Sequence, residues 1–195
     1  SESLTTLATK VADLVVEIAD EAITARRRFL LVLAGGTTPE RAYKLLGKRA
    51  GAVDWMKCRL FMGDERFVPP DDPQSNFAMI QHSLLSHIPI SPDQVFPMPT
   101  QQSTVEESAA AYADQLGQFF GADPHGPPPR FDLVLLGLGE DGHTASLMPG
   151  SPALDVEDAW VTSSPPGTLP PLVDRITLTY PVLNAARHVA FLAAG

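Results

Sequence analysis

A single cysteine, Cys58, occurs in the 195 residues. That excludes an intramolecular disulfide framework and a thiolate metal cluster, and it fits a reducing cytoplasm. Cys58 itself reads as a small core hydrophobe. Positive charge is also short: 14 Lys and Arg stand against 23 Asp and Glu, a formal net charge of -9. This is the wrong sign for nucleic acid or an anionic membrane, so neither is an expected partner, and an anionic ligand needs a local trap. Long apolar runs are missing too. The first apolar stretch is broken by Asp13 and Glu17 and has no basic leader, so it reads neither as a signal peptide nor as a membrane span, and the expected location is cytoplasmic. No H-E-x-x-H occurs, and His82 and His87, five apart, point to different faces of a helix, so no metal site is indicated. Internal repeats and linkers are absent, and the length suits one domain.

What the chain does contain is an alternation. Leu4, Leu7, Val11, Leu14, Val15, Ile18 and Ala22 recur at three- and four-residue steps, which predicts a helix over residues 3–27. The run Arg26-Arg27-Arg28 at its end reads as a solvated helix C-terminus. A strand over residues 29–33 follows, then a turn and a helix with Thr38 as N-cap and Pro39 at its first position. "KCRLFMGDERFV" supplies a strand ending near Gly63, and Ser75 or Asn76 caps a helix over 76–87. Ser103 and Glu106 form an S-x-x-E capping box for a helix reaching Phe120. After a Pro/Gly loop over 121–129 come a strand over 131–136 and three further strand candidates in "AWVTSS", "RITLTY" and "HVAFLAAG", with a short helical turn before the last. Strands separated by helices imply an open, mainly parallel α/β sheet with helices on both faces. In such sheets ligands bind beyond the carboxyl ends of the strands, where the polar turns after Leu33, Met62 and Leu136 all fall.

The first of these turns holds Gly35, Gly36, Thr37 and Thr38 ahead of a helix. Its glycines, hydroxyls and helix N-terminus suit a phosphate, though they equally suit a plain tight turn. It lacks the spacing and lysine of a nucleoside-triphosphate loop. The second turn begins Asp64-Glu65-Arg66; an arginine there can grip an anion bidentately while carboxylates hold hydroxyls. The third, "GLGEDGHTASLMPG", matches the G-x-G-x-x-G of dinucleotide sites. That reading fails on the two carboxylates, Glu140 and Asp141, on the six residues between Gly142 and Pro149, too few for a crossover helix, and on the absence of an acidic strand end further on. What remains is His143 beside Asp141, a pairing suited to general acid/base work.

At "LAGGTTP", "GDERFVPPDDPQSN", "GLGEDGHTASLMPGSPAL" and "PPLVDRITLTYPVLNAARHVAFLAAG" the chain resembles the 6-phosphogluconolactonases of the glucosamine-6-phosphate isomerase/6-phosphogluconolactonase family. The related deaminases share the D-G-H turn but continue I-A-F-N-E-P where Thr144-Ala145-Ser146-Leu147-Met148-Pro149 stands here. Met148 takes the place of a usual phenylalanine. The resemblance implies hydrolysis of 6-phosphogluconolactone in the oxidative pentose phosphate pathway, without cofactor, by a cytoplasmic monomer whose partner is a small sugar phosphate. It implies that His143 is the base, with Asp141, Asp64 and Arg66 as further catalytic-site groups. Gly35, Gly36, Thr37, Thr38, Arg66, Asn76 and Arg175 would bind substrate. The family continues past "FLAAG" with a lysine-bearing turn and a helix, so the resemblance also implies a single lactonase domain over 1–195 lacking its C-terminal segment. A deaminase-type sugar-phosphate enzyme and a non-catalytic sugar-phosphate sensor are the alternatives.

Overall fold

The computed structural model describes residues 4–168 and 170–193. The expected helix start at residue 3 and the last two residues of the final strand candidate lie outside these. The elements run α1 (Leu4–Arg26), β1 (Phe29–Leu33), α2 (Thr37–Lys48), β2 (Cys58–Met62), β3 (Asp64–Arg66), α3 (Asn76–Ser83), β4 (Val95–Phe96), α4 (Val105–Phe120), β5 (Leu133–Gly137), β6 (Val161–Ser164), β7 (Arg175–Leu178), α5 (Tyr180–Ala185) and β8 (His188–Leu192).

Five strands form a parallel sheet in the order β4-β2-β1-β5-β8, flanked by helices. The chain leaves β1 toward β2 on one side and later returns to β5 on the other, so the switch point lies at the carboxyl ends of β1 and β5, where ligands bind in such sheets. β1 is buried along its whole length, as a central parallel strand must be. α1 turns its apolar stripe, Val11, Val15, Ile18 and Ala22 among it, into the core. From α4, Phe119 and Phe120 pack on Phe61 of β2, with ring centroids 5.2 and 6.2 Å away. Cys58 is fully buried, and burial pushes its thiol pKa up to about 12, so it behaves as a core hydrophobe.

Two of the strand candidates leave this sheet. β6 and β7 pair antiparallel, and β7 pairs antiparallel with β3, giving a second sheet in the order β3-β7-β6. Hydropathy finds a strand but not its neighbour, which is why this was not foreseen. Gly63 joins the two sheets: its N–H donates to Leu33 O of the first, and its carbonyl accepts from Leu178 N in the second.

Local signals were displaced in three places. Gly36, at φ 99°, is the N-cap of α2, and Thr38 lies inside the first turn. The capping pair of α4 is Thr104 and Glu107, one residue beyond the expected box; "STVEE" offers both an S-x-x-E and a T-x-x-E. α3 ends at Ser83, and residues 85–87 form a separate 3-10 turn. Arg26 is not simply solvated: its Nε and Nη2 both lie 2.9 Å from Asp132 Oδ1.

Candidate active site

Two tyrosines fix the strand ends from which the site loops depart. The hydroxyl of Tyr43, on α2, accepts from Ala34 N and donates to Ala34 O, each at 2.9 Å. Tyr112, on α4, does the same at the end of β2, accepting from Met62 N at 3.0 Å and donating to Met62 O at 3.2 Å. Each satisfies backbone groups that the ladder abandons where the chain turns away. Burial raises the pKa of both hydroxyls, so they remain protonated donors.

Beyond these ends lies a cavity of about 230 Å³, small enough to suit a metabolite rather than a polymer. Its lining brings together the three turns: Gly35, Gly36, Thr37 and Thr38; Asp64, Arg66 and Asn76; Gly139 and His143; and, from β7, Arg175. Asp141 adjoins the cavity through His143. Glu140 is exposed and takes no part in the lining. After Gly142 the chain runs to a 3-10 turn over Pro152–Asp155 rather than into a crossover helix, in keeping with rejection of the dinucleotide reading.

On the first turn, α2 begins without a side-chain cap. Gly36 has no side chain to take the first-turn N–H groups, and among the described residues no cap bond to them occurs, a combination that attracts anions. A Cβ on Gly35 would fall 2.0 Å from Oδ1 of Asn76, so only glycine fits beneath that amide. Asn76 is buried; its Nδ2 donates to Asp64 O at 3.1 Å, and its Oδ1 has no partner among the described residues.

The second turn is not a loop but β3, which lies in register against β7 with Arg66 directly opposite Arg175. Like charges so placed repel. Arg66 donates from Nη1 to Gln74 O at 2.7 Å and Arg175 from Nη2 to Pro171 O at 3.2 Å. In both, Nε is buried without a partner among the described residues. Burial lowers the Arg175 pKa while the Asp64 charge raises it; an arginine stays charged regardless. Two guanidinium groups on one wall, Arg175 buried and Arg66 half-buried, each with a buried Nε to spare, suit an anion.

Glu65 turns away from the cavity. Its carboxylate accepts from Arg66 N, Asn76 N and Phe77 N, each at 2.7 Å, and from Ser75 Oγ at 3.0 Å. It thereby ties the start of α3 to β3 and fixes the backbone of both Arg66 and Asn76. Burial pushes its pKa up against the pull of those N–H groups.

On the third turn, Asp141 Oδ1 accepts from His143 Nδ1 at 2.5 Å and from His143 N at 3.2 Å, and Thr168 Oγ1 lies 3.4 Å from Oδ2. The bond from the ring holds the Asp141 carboxyl below the usual carboxylate range. With Nδ1 committed as donor, Nε2 is the acceptor of the neutral ring. A Cβ on Gly139 would fall 2.2 Å from His143 Nδ1, so the imidazole lies directly on that glycine. Sequence reasoning passed over Gly139, Glu65 as a strut, and Ser146, which donates to Asp64; only the glycine spacing hinted at the first.

A family model described as glucosamine-6-phosphate isomerases/6-phosphogluconolactonase matches residues 2–195. The chain is 42% identical to the 6-phosphogluconolactonase of Synechocystis over 90% of its own length and 70% of the relative's. Against that of Nostoc the figures are 40%, 98% and 77%. Among solved structures, the 6-phosphogluconolactonase of Trypanosoma brucei superposes with a TM-score of 0.83 at 34% identity, covering 97% of this chain and 78% of that one. A monomeric glucosamine-6-phosphate deaminase, at 18% identity and a TM-score of 0.78 over 98% of this chain and 79% of its own, shares the fold.

Proposed function

The chain belongs to the glucosamine-6-phosphate isomerase/6-phosphogluconolactonase family, and we propose that it hydrolyses 6-phosphoglucono-1,5-lactone to 6-phosphogluconate with His143 as general base. The observation that carries this reading is one cavity: an imidazole whose Nδ1 is held by Asp141 shares it with two arginines whose Nε donors have no partner among the described residues. A base alone would suit many hydrolases. A base beside an anion trap suits a phosphorylated ester.

The phosphate is held at the N-terminus of α2 by backbone N–H groups and threonine hydroxyls of residues 35–38, with Arg66 and Arg175 neutralising its charge. This anchors the ring so that its carbonyl carbon faces His143. Nε2 takes a proton from water as the oxygen attacks that carbon, giving a tetrahedral oxyanion. The oxyanion collapses, the bond from the carbonyl carbon to the ring oxygen breaks, and Nε2 returns the proton to the departing oxygen. Asp141 keeps Nδ1 protonated and stabilises the imidazolium formed in between. A lactone is already an activated ester, so no serine or cysteine nucleophile is required.

Acid release from 6-phosphogluconolactone, followed in a pH-stat and corrected for spontaneous opening, tests the reading against gluconolactone and glucosamine 6-phosphate. A strong preference for the phosphorylated lactone is expected. Comparable kcat/KM for the two lactones, or turnover of the amino sugar instead, would sink it.

A further inference from the structure

Ser146 stands three residues after His143 and lines no part of the cavity, yet it is the point where the histidine loop meets the sheet opposite. It is fully buried. Its Oγ donates to Asp64 Oδ2 at 2.7 Å, and its N–H reaches Thr177 Oγ1 at 3.3 Å. Asp64 and Thr177 are themselves cross-strand partners in β3 and β7. Thr177 Oγ1 donates onward to Leu178 O at 3.0 Å, which leaves it free to accept from Ser146.

The backbone around Ser146 is tightly specified. Leu147 N donates to Thr144 O at 3.0 Å, closing a turn in which Ala145 takes φ 49°, a left-handed conformation that a residue with a Cβ adopts at a cost. Such a turn persists where neighbouring contacts hold it, and the two bonds of Ser146 are those contacts. On the other side, Asp64 is buried yet lines the cavity. Its Oδ2 is taken by Ser146, and no hydrogen bond to Oδ1 occurs among the described residues. The carboxylate is thus pinned by one oxygen and presents the other.

We propose that Ser146 is a positioning residue for the lactonase reaction: its hydroxyl fixes the Asp64 carboxylate so that Oδ1 receives a hydroxyl of the sugar ring, and registers that contact with the His143 loop. The inference rests on the lactonase reading above. A buried hydroxyl that satisfied only the fold would act on stability alone; this one acts through Asp64.

A double-mutant cycle on the full chain tests it, with kcat, KM and thermal unfolding measured for wild type, Ser146→Ala, Asp64→Ala and the pair. Ser146→Ala is expected to lower kcat/KM roughly tenfold, the scale of a hydrogen bond to a charged acceptor. In the Asp64→Ala background the same change should matter by less than about twofold, because the coupled partner is gone. Ser146→Cys fills the same space with a weak donor and should match the alanine variant in rate while unfolding close to wild type; it serves in place of Ser146→Ala if that variant does not fold. Unchanged kcat/KM in both Ser146 variants, or the same fold loss in both Asp64 backgrounds, would overturn the assignment while leaving the lactonase reading intact. A wild type inactive on 6-phosphogluconolactone would overturn both.

Discussion

At the amino ends of the strands, the buried Asp132 has both carboxylate oxygens engaged. Oδ1 takes Arg26 at 2.9 Å and lies 3.4 Å from Arg187 Nε, while Oδ2 accepts from Leu30 N at 2.9 Å. Beyond the carboxyl edge of the parallel sheet, Arg66 and Arg175 oppose one another across β3 and β7, and their Nε atoms, like Asn76 Oδ1, have no partner among the described residues. Both edges hold charge, but among the described residues Asp132 is fully partnered and the two arginine Nε atoms are not. Buried polar groups without partners cost free energy; of the six such side-chain atoms among the described residues, Arg66 Nε, Arg175 Nε and Asn76 Oδ1 belong to residues lining one cavity, and the other three, on Thr100, Ser108 and Gln115, lie outside it. Charge at the amino edge is matched within the chain; under the proposed function, charge at the carboxyl edge is matched by the substrate.

The largest effect expected from breaking this division is at His143. His143→Asn should lower kcat by about 10²–10⁴-fold, the usual contribution of a general base, while 6-phosphogluconate still binds and the unfolding temperature holds. Steady-state kinetics with calorimetry and a thermal melt separate these. Next comes Arg175→Met, expected to weaken kcat/KM for the phosphorylated lactone by about 10- to 100-fold, as loss of a charged hydrogen bond does. Its unliganded stability should not fall, since it relieves the repulsion with Arg66. The mirror variant is Asp132→Ala. It should lose roughly 1–3 kcal/mol of stability in urea unfolding, because Leu30 N–H is left buried without an acceptor, and keep kcat/KM within about twofold, since distant sites act independently. If the arginine variant is the unstable one and the aspartate variant the inactive one, the contrast between edges is wrong.

Smaller still is the effect of Asp141→Asn, in which the base survives with its orientation disturbed; a fall in kcat of about tenfold is expected. The pH dependence follows from the depressed Asp141 carboxyl. A folded-state pKa below the unfolded one means that the carboxylate's contribution is present above the ordinary carboxylate range and is lost only as pH falls through the lower folded value. The Asp141 carboxyl carbon resonance should therefore titrate below that of exposed aspartates, and His143→Asn should move it back up.

Much of this was legible before any coordinates. The apolar stripe of α1, the buried run of β1 and the glycine-rich exits of the strands are local signals, and they placed the sheet and its ligand edge. His143 and Asp141 could be paired because they lie two residues apart. What stayed hidden depends on distance along the chain. Ser146 meets Asp64 across 82 positions and Tyr112 meets Met62 across 50, and no local periodicity encodes such contacts. β3 is three residues long, too short to show an alternation, so Asp64-Glu65-Arg66 read as a turn. The division of labour within that triplet, with Glu65 turned inward and its neighbours facing the cavity, follows from strand alternation that only the pairing with β7 reveals. Arg175 was suggested by family resemblance alone; the structure puts it in the cavity wall opposite Arg66, a pairing across 109 positions of chain that no local pattern encodes.

The most direct test of the contrast between the edges is calorimetric binding of 6-phosphogluconate and of gluconate to the wild type and to an Arg66→Met/Arg175→Met variant that still unfolds cooperatively. The wild type should prefer the phosphorylated compound by roughly a hundredfold or more, the scale of a few charge-assisted hydrogen bonds, and the double variant should lose most of that preference. Equal affinity for the two compounds in the wild type, or a preference that survives removal of both arginines, would contradict it.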